Sequence, residues 1–121
     1  MDYMTVPAIR NLQKQDLIKK NYQKIYQHEL AHKNAAGSLA GPIVIEKNSE
    51  GIPVAGHVSI KMPTLNKDNP KETINHADTV IKSAMAPSDP SDQDYKVAAQ
   101  AKSIKSQAEQ IQNKKKLDYY A

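Results

Sequence analysis

The segment Tyr26–Gly37, YQHELAHKNAAG, contains two histidines four residues apart, with a glutamate directly after the first. On a helix, residues four apart lie one above the other, so the imidazoles of His28 and His32 could bind one Zn²⁺. Glu29 points about 100° away around the helix, where its carboxylate reaches a water on the metal instead of the metal itself. The pattern therefore predicts a zinc-dependent metallopeptidase in which Glu29 activates the zinc-bound water to hydrolyse peptide bonds.

A polar patch on an ordinary exposed helix would contain the same residue types. The helical wheel argues against this interpretation, because the three polar residues interrupt the apolar face formed by Ile18, Tyr22 and Ile25. A carboxylate on an apolar face needs a partner or a cleft, since burying an unpaired charge is costly. A metal with its water would meet the needs of all three polar side chains together.

A catalytic zinc site needs a third protein ligand, and the chain has no cysteine, so this ligand must be His, Asp or Glu. His57 lies in VAGHVSI, on the strand face that it shares with Ala55 and Ser59, where small neighbours leave room for a metal. The alternative third ligand is Asp78, which lies near the apolar stripe of its helix. His76 lies opposite that stripe and is expected in solvent.

Local signals then predict the elements that must position these residues. The predicted elements are a helix from Pro7 to Ala36, strands over Ile43–Ile45 and Val54–Ile60, a helix after Asn69 that Pro87 ends, and a last helix from Ser91. Gly37 ends the first helix, Gly51 supplies the left-handed position of the turn, and Asp94 completes the start of the last helix. The fold class is α+β and mostly helical: the long HExxH helix, a β-hairpin and two further helices.

Length and charge limit the classes of function. The 121 residues predict a single zincin-like domain over 1–121, with 1–6 and 115–121 frayed. The net charge of +4 is mostly scattered lysine, and only NKKK at Asn113–Lys116 is concentrated, so a nucleic-acid partner is not expected. No signal peptide or membrane-spanning run is seen, so the expected location is cytoplasmic, without a membrane partner. The sequence does not predict the oligomeric state.

Several segments together resemble a known family. HELAH followed by AAG, then GHVSI, NPKETI and SAMAPSDPSDQDYKVAAQA, resemble the SprA-related family of bacterial metallopeptidases, in the same order and with similar spacing over about Tyr26–Ala101. The resemblance implies zinc binding by His28 and His32 and a base at Glu29. The family commonly has Gly-Glu-Val where this chain has Gly-His-Val; both Glu and His bind zinc, so the resemblance favours His57 over Asp78 as third ligand.

Two functions therefore remain open at the level of sequence. The first is a zinc metallopeptidase, whose partner is a peptide or protein substrate. The alternative is a non-catalytic, zinc-stabilised protein-interaction module with the same ligands. The chain has no Phe and no Trp, so its core is expected to be thin, and a bound metal would add stability in either case.

Overall fold

The computed structural model describes residues 5–120, with side chains described as far as residue 117. The elements in chain order are α1 (Val6–Ala36), a 3₁₀ turn (Gly37–Leu39), β1 (Ala40–Lys47), β2 (Pro53–Ile60), α2 (Pro70–Ala84) and α3 (Asp92–Tyr120). This order confirms the predicted, mostly helical α+β fold. The predicted fraying of 1–6 and 115–121 falls in part on residues 1–4 and 121, outside the described residues, and stays a prediction.

Helix α1 has clear local signals at both ends. The Thr5 hydroxyl accepts a hydrogen bond from the backbone N–H of Ala8 at 3.2 Å, and Pro7 occupies the first turn. At the other end Gly37 adopts φ 59°, and its N–H donates to the carbonyl of Lys33. Glycine takes this left-handed conformation without the steric cost of a Cβ, so the predicted helix end is confirmed.

The hairpin consists of two antiparallel strands, with Val44 opposite His57 and Ile45 opposite Gly56. The side chain of Asn48 stabilises its turn, because Oδ1 accepts from the N–H groups of Glu50 and Ile52, each at 3.0 Å. Gly51 has φ 79°, as the turn signal predicted. β1 is the strand partner of β2 within residues 5–120, which leaves the other edge of β2 without a strand.

Side-chain caps begin α2 and α3. Asn69 Oδ1 accepts from the N–H of Glu72 at 3.3 Å, which confirms the predicted start of α2. At α3 the cap is reciprocal: Ser91 Oγ accepts from the N–H of Asp94 at 3.2 Å, while Asp94 Oδ2 accepts from the N–H of Ser91 at 2.8 Å. The second bond fixes the position of the Asp94 carboxylate.

The core is built from small side chains, chiefly where α2 packs against α3. Its buried hydrophobic residues are Ala36, Ala77, Val80, Ala84, Ala98, Ala101 and Ala108. Helix α1 packs against the hairpin and α2 through its C-terminal half, whereas Ile9 and Leu12 near its N-terminus remain exposed. The expected thin core is therefore confirmed. No helix in residues 5–120 has the length and hydropathy needed to cross a membrane.

Candidate metal centre

Helix α1 brings the three residues of the HELAH segment together as their spacing predicts. His28, Glu29 and His32 each offer one ligand atom, and these atoms lie within 4.8 Å of one another. The two Nε2 atoms are 3.2 Å apart, and Glu29 and His32 are only 7% and 5% exposed. The three side chains are thus close enough to hold a metal ion.

Helix α2 fixes the ring of His32. Its Nδ1 donates to the backbone carbonyl of Ser83 at 2.8 Å, and in return Ser83 Oγ donates to the carbonyl of His32 at 2.7 Å. A carbonyl can only accept, so the Nδ1 atom carries the proton. In the neutral ring, Nε2 then presents a free lone pair towards His28, which is the arrangement that metal-binding histidines adopt.

The segment between α2 and α3 fixes the ring of His28 in the same way. His28 Nδ1 lies 3.1 Å from Asp89 Oδ1, and this hydrogen bond lowers the pKa of Asp89. The Asp89 carboxylate thus offers Nδ1 of His28 an acceptor, as the Ser83 carbonyl does for Nδ1 of His32. The two imidazoles stand nearly perpendicular, at 78°, with centroids 4.9 Å apart.

Asp94 lies directly beside the two imidazoles, although it is not one of the three residues grouped within 4.8 Å of one another. Its Oδ2 lies 3.2 Å from His28 Nε2, and its Oδ1 lies 3.1 Å from His32 Nε2. The sequence indicated Asp94 only as part of the α3 cap. Its contact with His28 joins residues 66 positions apart, so no local pattern could place it beside α1.

Glu29 lies beside the two histidines, and most of its surface is covered by protein. Burial raises the pKa of Glu29, and the nearby His32 and His28 offset part of that effect. The side chain lines two cavities, of about 570 and 450 Å³, which also share His28, Gly56 and Ser91 as lining residues. A carboxylate with a raised pKa at the wall of a cavity is suited to proton transfer.

Gly56 allows β2 to approach α1 at the level of Glu29. A Cβ at this position would stand 2.4 Å from Ile25 Cγ2 and 3.0 Å from Glu29 Cγ. The first distance is shorter than real Cβ contacts and the second is tight, so the absence of a Cβ helps the strand to lie against the centre. No local sequence pattern predicted this requirement, because it depends on how closely β2 approaches α1.

His57, the predicted third ligand, lines the 450 Å³ cavity together with His28, Glu29 and His32. Its side chain is 54% exposed, and its Nδ1 lies 3.7 Å from Glu46 Oε1. It is not among the residues whose ligand atoms lie within 4.8 Å of one another. The assignment of His57 as a ligand stays a prediction.

The other two candidates have different partners. Asp78 Oδ1 lies 2.7 Å from Lys105 Nζ, an ion pair between α2 and α3, and this contact raises the pKa of Lys105. His76 is half-buried, and its Nε2 donates to the carbonyl of Lys61 at 2.7 Å. The structure therefore brings neither side chain into the group formed by the HELAH residues.

The two cavities form a groove that β2 lines along its length. Residues 53–56 line one cavity and residues 56–60 line the other, with Glu29 and His28 where the two meet. β2 has eight residues, which correspond to about 26 Å of extended chain. The geometry thus offers an elongated site whose midpoint is the candidate metal centre.

Comparison with known proteins adds one finding. The model described as SprA-related family matches residues 7–117, a range that contains every residue of the centre. No curated protein and no solved structure matches the chain.

Proposed function

Because the chain belongs to the SprA-related family, and because α1 groups two imidazoles with a buried carboxylate, we propose that the protein is a zinc-dependent metallopeptidase. The observation that carries the proposal is the pair of Nε2 atoms, 3.2 Å apart, on rings whose Nδ1 atoms are both held by oxygen acceptors. Zinc suits such a set of nitrogen and carboxylate donors, and hydrolysis requires no redox chemistry.

The residues of the centre have different roles in the proposed reaction: the histidines would hold the zinc, and Glu29 would transfer the proton. Zinc, when bound, lowers the pKa of a coordinated water and polarises the carbonyl of the scissile bond. Glu29 accepts the proton of the attacking water and then donates it to the leaving amine. Burial raises the pKa of Glu29 and so brings that pKa closer to neutral pH. This favours both steps, because a group with such a pKa can accept the proton from water and then release it to the amine.

The groove supports a peptide as the substrate class. β2 has a free edge within residues 5–120, and an extended peptide can bind to such an edge by strand addition. Main-chain hydrogen bonds along β2 would hold the peptide, while its scissile bond would lie beside Glu29. This mode of binding needs no particular side chain on the substrate.

The test is to replace Glu29 by glutamine. The Glu29→Gln variant keeps the shape of the side chain but loses the basic oxygen. It should retain zinc and fold while hydrolysis of a broad peptide library falls by about 10²–10⁴-fold. Zinc content, circular dichroism and cleavage products by mass spectrometry are measured together.

The matched control is Glu50→Gln, which alters an exposed glutamate in the hairpin turn and should leave cleavage unchanged. Equal cleavage by wild type and Glu29→Gln would show that another protease is responsible for the activity. Absence of cleavage by zinc-loaded wild type across the library would contradict the peptidase and favour the second candidate.

That second candidate is a zinc-stabilised protein-interaction module without catalysis. It is favoured by the small core, whose largest fully buried side chains are Val80, Thr73, Pro53 and Ser83. A metal at the centre would add a link between α1 and α3, which have little direct packing in the described part of the chain. In this case Glu29→Gln would change stability or partner affinity and would have no hydrolysis to remove.

A further inference from the structure

The geometry points to Asp94 as the third protein ligand of the metal, in place of His57. This inference rests on the metal centre of the proposed function and adds a residue to it. It would attach α3 directly to α1 through the ion, with His28 Nε2 and His32 Nε2 as the other two donors.

The first argument is the direction of the lone pairs. The Ser83 carbonyl accepts the Nδ1 proton of His32, so a neutral His32 ring has a free lone pair on Nε2, and Asp89 offers Nδ1 of His28 an acceptor in the same way. The carboxylate of Asp94 also has only lone pairs to offer. The two Nε2 atoms lie 3.2 Å apart, with Asp94 Oδ2 beside that of His28 and Asp94 Oδ1 beside that of His32. Such a set is stabilised by a cation at its centre.

The second argument is the distance between the ligand atoms. Ligands about 2.0–2.1 Å from a tetrahedral zinc are about 3.3 Å from one another. The observed separations are 3.2 Å between the two Nε2 atoms, 3.2 Å from His28 Nε2 to Asp94 Oδ2, and 3.1 Å from His32 Nε2 to Asp94 Oδ1. The two Nε2 atoms thus already have the spacing of two zinc ligands, and each is approached at a similar distance by one oxygen of the Asp94 carboxylate.

The third argument is the way in which Asp94 is held. Its side chain is 14% exposed, and the N–H of Ser91 donates to its Oδ2. Among the described residues, the Asp94 carboxylate has the two imidazoles beside it and no lysine or arginine within ion-pair distance. His57 is 54% exposed and has Glu46 as its ionic neighbour. A ligand that is buried and already oriented costs less ordering when the metal binds.

The test compares the zinc affinity of Asp94→Asn with that of His57→Ala, in untagged protein competing with a chromophoric chelator. The loss of a ligand should exceed the loss of an outer hydrogen bond, so Asp94→Asn should weaken affinity by about 100-fold or more. It should also change the visible spectrum of the Co²⁺-loaded protein. His57→Ala should leave both measurements unchanged.

Two controls separate metal binding from capping. Asp92→Asn removes an equivalent charge from the first turn of α3 and should leave affinity unchanged. Ser91→Ala removes the hydroxyl that caps α3 but keeps the Asp94 carboxylate. It should lower helix stability and retain zinc affinity and the Co²⁺ spectrum, which gives a readout even if Asp94→Asn folds poorly.

The outcomes distinguish the two proposals. Unchanged affinity in Asp94→Asn, or a loss that Ser91→Ala reproduces, would overturn the assignment of Asp94. A loss in His57→Ala alone would return the role to His57. Wild type that binds zinc through Asp94 but cleaves no peptide would support this inference and contradict only the peptidase. Wild type that binds no zinc would overturn both.

Discussion

Each imidazole of the centre is oriented by an acceptor that lies far away in the chain. Ser83 is 51 residues from His32, and Asp89 is 61 residues from His28. Fixing Nδ1 in this way removes ring rotation and selects the tautomer with a free Nε2. The pair of histidines is consequently arranged for a metal before any metal binds.

At this scale we predict that Asp89→Ala weakens zinc binding by about 10-fold, because the His28 ring loses its acceptor but keeps its ligand atom. The effect should be smaller than that of Asp94→Asn, since Asp89 is 65% exposed and water can replace it. Chelator competition measures it, with Asp92→Asn as control. An affinity equal to that of wild type would contradict the proposed orienting role.

The sequence could predict the residues of α1 because helical periodicity alone places His28, Glu29 and His32 together. It could not predict Asp94 or Asp89, because their positions depend on how α3 returns to α1. The GHV resemblance indicated His57 instead, and His57 does reach the wall of the same cavity. Local spacing thus identifies candidate ligands on one element, whereas candidate ligands from other elements can be identified only from the tertiary fold.

The close approach of β2 to α1 is the main feature at the scale of elements. Gly56 lies opposite Ile45 in the hairpin, and its missing side chain leaves space for Ile25 and Glu29. The caps and the turn of these elements were predictable, because each depends on residues within a few positions. The distance between β2 and α1 could not be predicted, because it depends on which side chains of the two elements face each other.

We therefore predict that Gly56→Ala lowers the free energy of unfolding by about 1–3 kcal/mol, the usual cost of forcing extra volume into a packed site. A Cβ would collide with Ile25 Cγ2 at 2.4 Å. The matched control is Gly41→Ala in the same hairpin, where the nearest atom, Ser59 O, is at 3.6 Å. Urea unfolding of metal-free protein measures both variants. Equal midpoints for the two would contradict the close packing.

For the whole molecule, the centre joins α1 to α3, two helices with little direct packing between them among the described residues. His28 and His32 come from α1, Ser83 from α2 and Asp94 from α3. Among residues 5–117 the buried hydrophobic residues are six alanines and one valine, so packing supplies less stabilisation than in a core of larger side chains. A metal at the centre would couple α1 to α3 directly, and α2 is already joined to α1 there by the hydrogen bonds between Ser83 and His32.

Zinc should therefore raise the thermal stability of the protein. At a free zinc concentration of about 100 times its dissociation constant, the native state gains about 2.7 kcal/mol. Thermal unfolding is compared with and without zinc in wild type, His28→Ala and His76→Ala. The zinc-dependent shift should persist in His76→Ala and disappear in His28→Ala. A shift of the same size in all three proteins would show that zinc acts elsewhere.

The account depends most directly on the presence of a metal at this centre. Elemental analysis of untagged protein, dialysed after addition of zinc, measures the number of ions per chain. We predict about one Zn²⁺ per chain in wild type, because one tetrahedral site uses all the converging donors, and almost none when His28 and His32 are both replaced by alanine. Wild type without transition metal after zinc addition, or the same zinc content in the double variant, would contradict the account.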